Sequence, residues 1–324
     1  MCTTAYAALA CHGGERVIAM KKLLVLTDGK AGHENQSRAF ARALGLPFDV
    51  ATVRFKSRLH KISSYALSWM GIYSVRMFDA DCGEGYSAVI GTGSGVFYAA
   101  KALANKNGAT CGVVLYPRGY DISAFDCVLS PAFDRPRKAA NVIEIPANLV
   151  ANDGEFYACG VREFEKRHTG RTGRPAVAVV IGGPNKCSSM SPEWMRGELE
   201  RIFRENAGGE FWVTTSRRTP ADVENVVDSF PWDYKLIYSR DRFNPIPAFV
   251  ALSDVLYVTA ESTGMISEAC TFGSAQVNVI DNLNPGRHKF RRFIEMLSEG
   301  GFIGGRKKVD LRESFAKAKS LLKV

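Results

Sequence analysis

Short, unbroken apolar runs alternate along this chain with segments whose apolar residues recur every three or four positions. In the first half, Lys22–Thr27, Ala88–Gly91, Gly112–Tyr116, Cys127–Ser130 and Val142–Ile145 are runs of the first kind. Apolar character on both faces predicts strands buried in a parallel sheet. Between the first two, Glu34–Leu44 places Ala39, Phe40, Ala43 and Leu44 on one side and stops at Gly45, which predicts a helix with a glycine end. The stretch VREFEKRHTGRTGRP, residues 161–175, is charged and broken by glycine. It reads as a linker, or equally as a solvated helix end followed by a loop.

Beyond it the alternation restarts with strand Ala176–Ile181. Ser191-Pro192 then opens a helix carrying Trp194, Leu199, Ile202 and Phe203. Serine caps free N–H groups at a helix start, and proline has none to cap. The remainder reads as strand Phe211–Thr215, helix Pro220–Ser229, strand Tyr234–Tyr238, helix Ile246–Leu252, strand Val255–Thr259, helix Thr263–Thr271 and strand Gln276–Ile280. Two successive β/α runs predict an α/β protein of two Rossmann-like, doubly wound domains facing across a cleft. The expected limits are 20–160 and 176–305, with a C-terminal helix within 306–324.

The length of 324 residues is enough for two cores. No apolar stretch approaches the roughly 20 residues of a membrane-spanning helix. A net charge of +9 points to an anionic partner without choosing among nucleic acid, a bilayer surface and a phosphorylated small molecule. The eight cysteines form no C-x-x-C pair, so neither a zinc site nor a disulfide framework is expected, and a reducing cytoplasm fits. MCTTAYAALACHGGERVIAM lacks the basic start and long apolar core of a secretory signal. Residues 1–19 read as a disordered extension or a start-site artefact ahead of Met20.

In open α/β sheets, ligands collect where strands end and helix N-termini begin. In the first half these exits are Asp28, Gly29, Lys30, Ala31, Gly32 and His33, and the GTGSG run with Gly91, Gly93 and Gly95. The second-half exits share one chemistry. Gly182 and Gly183 of GGPNK admit close backbone approach, and Asn185 and Lys186 follow. TTSRRTP adds Thr214, Ser216, Arg217 and Arg218, donors suited to phosphate. TAESTGMISE supplies Glu261, Ser262, Thr263 and Met265 at a helix start, with Glu268 placed to accept from ribose hydroxyls. Taken singly, each is also an ordinary turn or solvated face; four in one domain describe a nucleoside-diphosphate pocket. GTGSG lacks the third glycine of a dinucleotide fingerprint, and no P-loop occurs. Asp79-Ala80-Asp81 reads as a loop despite its D-x-D form, and no metal site is expected.

From Val50 to Phe78 there is no Asp or Glu, while Arg54, Lys56, Arg58, Lys61 and Arg76 alternate with aromatic residues. Ile62, Tyr65, Trp69 and Tyr73 fall at helical spacing. Basic flanks with apolar anchors suit an anionic membrane interface, and the same face equally suits a core. No nucleic-acid module accompanies it.

VLTDGKAGHENQSRAFARAL, GGPNK, FWVTTSRRTP, NPIPAFVALSDVLYVTAESTGMISEACTFG and HKFRRFIEMLSEGGF, in this order over residues 22–305, resemble the mitochondrial-fission ELM-type family. That resemblance implies a GT-B-like glycosyltransferase with a nucleotide-sugar donor on the second domain. It also implies an envelope-lipid or lipopolysaccharide-core acceptor on the first. A more distant similarity is to the lipid-linked N-acetylglucosaminyltransferase of peptidoglycan synthesis, in which Glu268 matches the ribose-binding glutamate and His33 a histidine of the first Gly-rich loop. Gly183-Pro184-Asn185-Lys186 departs from the serine- and glutamine-containing loop of that enzyme. On this reading His33 is the general base, with Asp28 as the alternative, and Gly29, Lys30 and Gly32 belong to the acceptor side. Phe243 and Asn244 border the base of a nucleotide such as a UDP-sugar. No cofactor beyond this co-substrate is expected, and the location is cytoplasmic, peripheral on the inner face of the membrane. A non-catalytic nucleotide-binding scaffold at a membrane and a nucleotide-sugar epimerase are the alternatives.

Overall fold

The computed structural model describes residues 21–286 and 288–324, and the extension read at residues 1–19 lies outside them. The chain begins with β1 (Leu23–Thr27), α1 (Ala31–Leu44) and β2 (Phe48–Thr52). A small antiparallel pair, β3 (Arg54–Phe55) and β4 (Phe78–Asp79), then encloses α2 (Arg58–Trp69). β5 (Ala88–Thr92), α3 (Phe97–Asn107), β6 (Thr110–Val114), β7 (Cys127–Pro131) and β8 (Val142–Ile145) follow. The first sheet is parallel throughout, in the order β2-β1-β5-β6-β7-β8. Gly45, at a φ of 73° where a side chain would be strained, ends α1 as its place in the sequence predicts. β2 carries no sequence signal strong enough to read, because it is an edge strand in which only Ala51 is buried and Val50 and Thr52 are exposed.

α4 (Gly154–Arg167) leads into the second unit. Asp153 caps it by accepting from the Phe156 N–H at 3.0 Å. β9 (Ala176–Val180), α5 (Pro192–Glu205), β10 (Glu210–Thr214), α6 (Ala221–Asp228), β11 (Tyr234–Leu236), α7 (Ile246–Leu252), β12 (Val255–Thr259), α8 (Thr263–Thr271) and β13 (Gln276–Ile280) complete a second parallel sheet. Its order is β11-β10-β9-β12-β13. α9 (Lys289–Glu299) and α10 (Arg312–Leu322) close the chain.

The stretch read as a linker at 161–175 is helical as far as Arg167. Phe164 on α4 meets Trp212 and Phe249 at ring-centroid distances of 5.1 and 5.8 Å, inside the core of the second sheet. A limit at residue 160 therefore cuts a helix that packs as one piece. α10 returns in the opposite sense: Ala318 and Leu322 are buried against the first sheet, and the Thr110 hydroxyl donates to the Leu322 carbonyl at 2.8 Å.

Each sheet reverses direction once, between β1 and β5 in the first and between β9 and β12 in the second. A crevice opens at such a switch point, because the connections leave it in opposite directions. The strand exits read separately in the sequence thus become neighbours: Asp28–His33 lies beside Gly93–Gly95, and Gly182–Gly183 beside Glu261–Thr263.

Glu210, at the start of β10, fastens the loop after α4 to the second sheet. It is fully buried and accepts from His168 Nε2 at 2.8 Å, from the Thr172 N–H and hydroxyl at 2.8 and 2.7 Å, and from Trp212 Nε1 at 2.8 Å. Burial pushes its carboxyl up, but the hydrogen bonds led by His168 outweigh burial and hold the pKa at about 2. With the folded-state pKa depressed, this stabilisation is complete above the ordinary glutamate range and fades as the pH falls toward 2. Glu210→Ala is expected to cost on the order of 2–4 kcal/mol at pH 7. Urea unfolding of wild type and variant should converge between pH 5 and about 2; a gap independent of pH would contradict this account.

Candidate active site

At the first switch point, Asp28 follows β1 and His33 sits in the first turn of α1. His33 Nδ1 lies 3.1 and 3.2 Å from the two oxygens of Asp28, and Lys30 Nζ reaches Asp28 Oδ2 at 2.9 Å. Burial pushes the Asp28 carboxyl up, and Lys30 and His33 together overcome this and hold it below the usual range. A carboxylate at Nδ1 favours the tautomer with its proton there, which leaves the Nε2 lone pair available. Nε2 has no hydrogen-bond partner among the described residues.

The glycines opposite are explained by this pair. A Cβ on Gly93, whose φ is +87°, would overlap the His33 ring, and one on Gly95 would come within 2.6 Å of Asp28 Oδ2. Gly91 is closed in the same way by Val96. The GTGSG run therefore makes room for two side chains of the neighbouring exit. Lys61 of α2 donates to the Ser94 carbonyl of this loop, and to Tyr120 Oη at 2.7 Å. Burial pulls the Lys61 ammonium down to about 8.

The second switch point repeats the arrangement around Glu261, whose side chain is wholly buried. Its Oε1 accepts from the Gly183 N–H at 2.9 Å, the Ser262 hydroxyl at 2.6 Å and the Thr259 hydroxyl at 3.1 Å. Oε2 accepts from Asn282 Nδ2 at 2.7 Å. The Gly182 N–H donates to Thr259 Oγ1 at 2.8 Å, and Arg218 Nη2 stands 3.8 Å from Glu261. Donors that the sequence offered to a phosphate thus already serve a carboxylate of the protein itself. Gly182 and Gly183 are glycines because a Cβ would overlap Glu261 and the Arg218 backbone respectively.

Most of the other predicted residues have contacts of their own. Glu268 points toward the join between the sheets, where Oε1 accepts from Tyr157 Oη at 2.9 Å and Asn152 Nδ2 at 3.0 Å. Burial raises its pKa, and these two bonds only partly oppose that. Ser216 Oγ accepts from the Arg218 N–H at 3.2 Å, while Thr214 is buried and bonds the Thr215 carbonyl at 3.2 Å. Asn185 and Asn244 use their side chains in turns, accepting from the Cys187 and Ile246 N–H groups at 2.7 and 3.2 Å. The Phe243 ring lies under the Arg167 guanidinium at 4.2 Å, and Met265 packs against the second core. Lys186 and Arg217 are exposed.

Between the two sheets lies a cavity of about 210 Å³, with Gly32, His33 and Gln36 on one wall and Thr263, Lys289 and Phe290 on the other. Gln36 and Lys289 were not singled out in the sequence. Gln36 Oε1 is buried without a partner among the described residues. Gln36 lies one turn beyond His33 on the same helix face, a spacing that would have revealed it. Lys289 lies in the HKFRRF block with only its charge to mark it. Asn282 is likewise a structural discovery, since nothing in sequence ties it to Glu261. No group of three or more His, Cys, Asp or Glu side chains is placed to hold a metal among the described residues.

A family model described as Mitochondrial fission ELM1 matches residues 31–314. The mitochondrial fission protein ELM1 of Arabidopsis thaliana is 29% identical over 133 residues, which is 40% of this chain and 31% of that protein. The match thus spans about a third of that relative's length. Among solved structures, the UDP-GlcNAc 2-epimerase from Methanocaldococcus jannaschii aligns with 94% of this chain and 99% of its own, at a TM-score of 0.53 and 11% identity. The UDP-GlcNAc 2-epimerase from Neisseria meningitidis, bound to UDP-GlcNAc, aligns with 94% and 100%, at 0.52 and 11%. At such identity the likeness is one of fold: two Rossmann-like domains in a GT-B-like arrangement.

The packing of Gly93 on His33 gives a direct test. Gly93→Ala is expected to cost about 2–4 kcal/mol, from overlap and from left-handed strain together. Gly29→Ala, at a φ of +79° with open space around the Cβ, should cost only the strain, about 1–2 kcal/mol. Chemical unfolding of Gly93→Ala in a His33→Ala background should recover most of the difference; strictly additive losses would rule this packing out.

Proposed function

The chain belongs to the mitochondrial fission ELM1 family, and from that footing we propose that it is a metal-independent glycosyltransferase using a nucleoside-diphosphate sugar. The observation that carries this reading is the cavity at which both switch points meet, with His33 on one wall and Thr263 on the other. A donor bound to the second domain and an acceptor bound to the first would have their reacting atoms there.

In this proposal the diphosphate lies over the first turn of α8, where the N–H groups of Thr263, Gly264 and Met265 precede the first intrahelical bond. The Thr263 hydroxyl and the cations Lys186, Arg217 and Lys289 add to them. These groups stabilise the charge that develops on the leaving diphosphate, the task a metal performs elsewhere. Glu268 Oε2, which has no hydrogen-bond partner among the described residues, accepts from the ribose, and Phe243 and Asn244 border the base. Glu261 takes the Gly183 N–H for itself, so its part is to hold the loops in place.

On the other wall, His33 Nε2 takes the proton of the acceptor hydroxyl. The acceptor oxygen bonds to the anomeric carbon as the bond from that carbon to the diphosphate breaks, and the electron pair leaves with the phosphate. Asp28 orients the ring and stabilises the imidazolium, so it acts as a positioning residue instead of the base. Gln36 Oε1 offers an acceptor to a sugar hydroxyl. The acceptor is an envelope lipid or a lipopolysaccharide-core saccharide.

A nucleoside-diphosphate panel tests the donor half. A ligand at one hundred times its Kd should stabilise the fold by about 2.7 kcal/mol, seen as a rise in Tm. Glu268→Gln should remove most of that rise. The raised pKa means the ionised carboxylate costs the folded state stability as the pH climbs through it. The variant alone should therefore keep its Tm at pH 8 or gain about 2 °C. If no nucleoside diphosphate shifts Tm, the donor reading fails.

His33→Ala tests the chemical half: transfer should fall about 10²–10⁴-fold while donor Kd stays within about twofold. Products of a labelled donor identify the reaction. An epimerised donor, or one returned unchanged with every acceptor offered, would replace transfer with epimerisation or with a non-catalytic scaffold.

A further inference from the structure

α2 turns two serines and a lysine inward beside Tyr65 and Leu67, which pack on the first core: Ser64 Oγ pairs with Tyr120 Oη at 3.1 Å, Ser68 Oγ with Tyr73 Oη at 2.9 Å, and Lys61 reaches Ser94 and Tyr120. The residues it turns outward are apolar. Leu59, Ile62, Trp69 and Met70 are 76%, 65%, 66% and 68% exposed, and Ile72 continues the patch past the helix end. The helical face read from the sequence through Ile62, Tyr65, Trp69 and Tyr73 is therefore not one face. Tyr65 stacks on Tyr120 at 4.4 Å, and Tyr73 lies beyond the last turn. The exposed positions 59, 62, 66, 69 and 70 make the apolar stripe instead.

An exposed stripe of this kind marks a contact surface, and its surroundings identify the partner. The rim holds Arg54, Lys56, Arg58 and Arg76, all exposed, and no acidic residue between Val50 and Phe78. Beside Trp69, whose Nε1 donates to the Gly119 carbonyl at 3.1 Å, a groove of about 510 Å³ runs between residues 116–123 and 137–141. Arg118, Arg137 and Lys138 stand in its wall. Asp121, also there, is turned to Ser123 at 2.7 and 2.8 Å.

We propose that this face docks on an anionic phospholipid bilayer, with Leu59, Ile62, Trp69 and Met70 entering the headgroup boundary and the surrounding cations meeting lipid phosphates. The division of labour is that of an interfacial amphipathic helix: apolar area supplies depth, and charge supplies selection for anionic lipid. Arg54, Lys56, Arg58, Arg76, Arg118, Arg137 and Lys138 outnumber Asp79, Asp81 and Asp121 around the stripe, a balance that complements an anionic bilayer, whereas a protein partner would have to be acidic and apolar at once. Lys61 ties α2 to the loop that cradles Asp28 and His33, so docking would hold the first wall of the cleft at the membrane. The surface stands independently of the sugar-transfer reading, because membrane binding requires no donor.

Sedimentation of the full chain with vesicles of 70% phosphatidylcholine and 30% phosphatidylglycerol, at 50 mM and 500 mM salt, tests this. Binding is expected at low salt, at least tenfold weaker at high salt or with phosphatidylcholine alone. Leu59→Ser combined with Ile62→Ser should lower partitioning at least tenfold with Tm unchanged, since neither side chain is packed. Trp69 emission should shift to the blue on binding, and Trp69→Phe should abolish the shift. Failure to bind the anionic vesicles at 50 mM salt overturns the proposal. So does binding that the double variant leaves intact, or self-association of the chain through this face in place of vesicle binding.

Discussion

Burying a carboxylate without partners costs several kcal/mol, and this structure has to satisfy that demand at the point where each sheet reverses. Glu261 is completely enclosed, and its four donors come from β12 and the residues after it, from the exit of β9, and from the loop after β13. Three strand exits are thereby held at fixed spacing by one side chain. The arrangement excludes a Cβ at Gly182 and sets the backbone of Gly183, so that the geometry of the second crevice follows from the solvation of a single group.

The first crevice answers the same demand less completely. Asp28 keeps a share of its surface in contact with solvent, and its partners are Lys30 and His33 in the following turn. A glycine of the neighbouring exit again yields space, Gly95 to Asp28 and Gly93 to His33. The two domains thus resolve one problem in two ways. In the closed version both carboxylate oxygens are bonded within the protein; the open version leaves His33 Nε2 without a partner among the described residues, beside the cavity.

The join between the domains adds a third carboxylate. Glu268 lies on α8 yet bonds Tyr157 and Asn152, residues on and just before α4. α4 in turn carries Phe164 into the aromatic cluster around Trp212, and Glu210 holds the loop that follows it. α8 is therefore connected to the segment that crosses between the sheets. α2 is anchored through hydroxyl groups, one half-buried ammonium and the packing of Tyr65 and Leu67, which leaves Leu59, Ile62, Trp69 and Met70 uncovered among the described residues.

Much of this was legible in the residues alone. Periodicity located the strands of both sheets apart from edge strand β2, and Ser191-Pro192 and Gly45 marked helix ends, because strand burial and helix capping are decided within a few neighbouring residues. The chemical types at the strand exits were also visible, as were Asp28, His33 and Glu261. Which exits stand side by side was not. That depends on strand order, and hence on backbone pairing between residues up to about eighty positions apart. Only the tertiary structure could show that Gly93 serves His33, that Glu261 takes the Gly183 N–H, and that the helix end at Arg167, one of the two readings of residues 161–175, carries Phe164 into the core. The rotation of α2 about its axis was equally hidden: apolar residues occur on both of its sides, and Tyr120 and Ser94, distant in the chain, hold the side with Lys61, Ser64, Tyr65 and Ser68 inward.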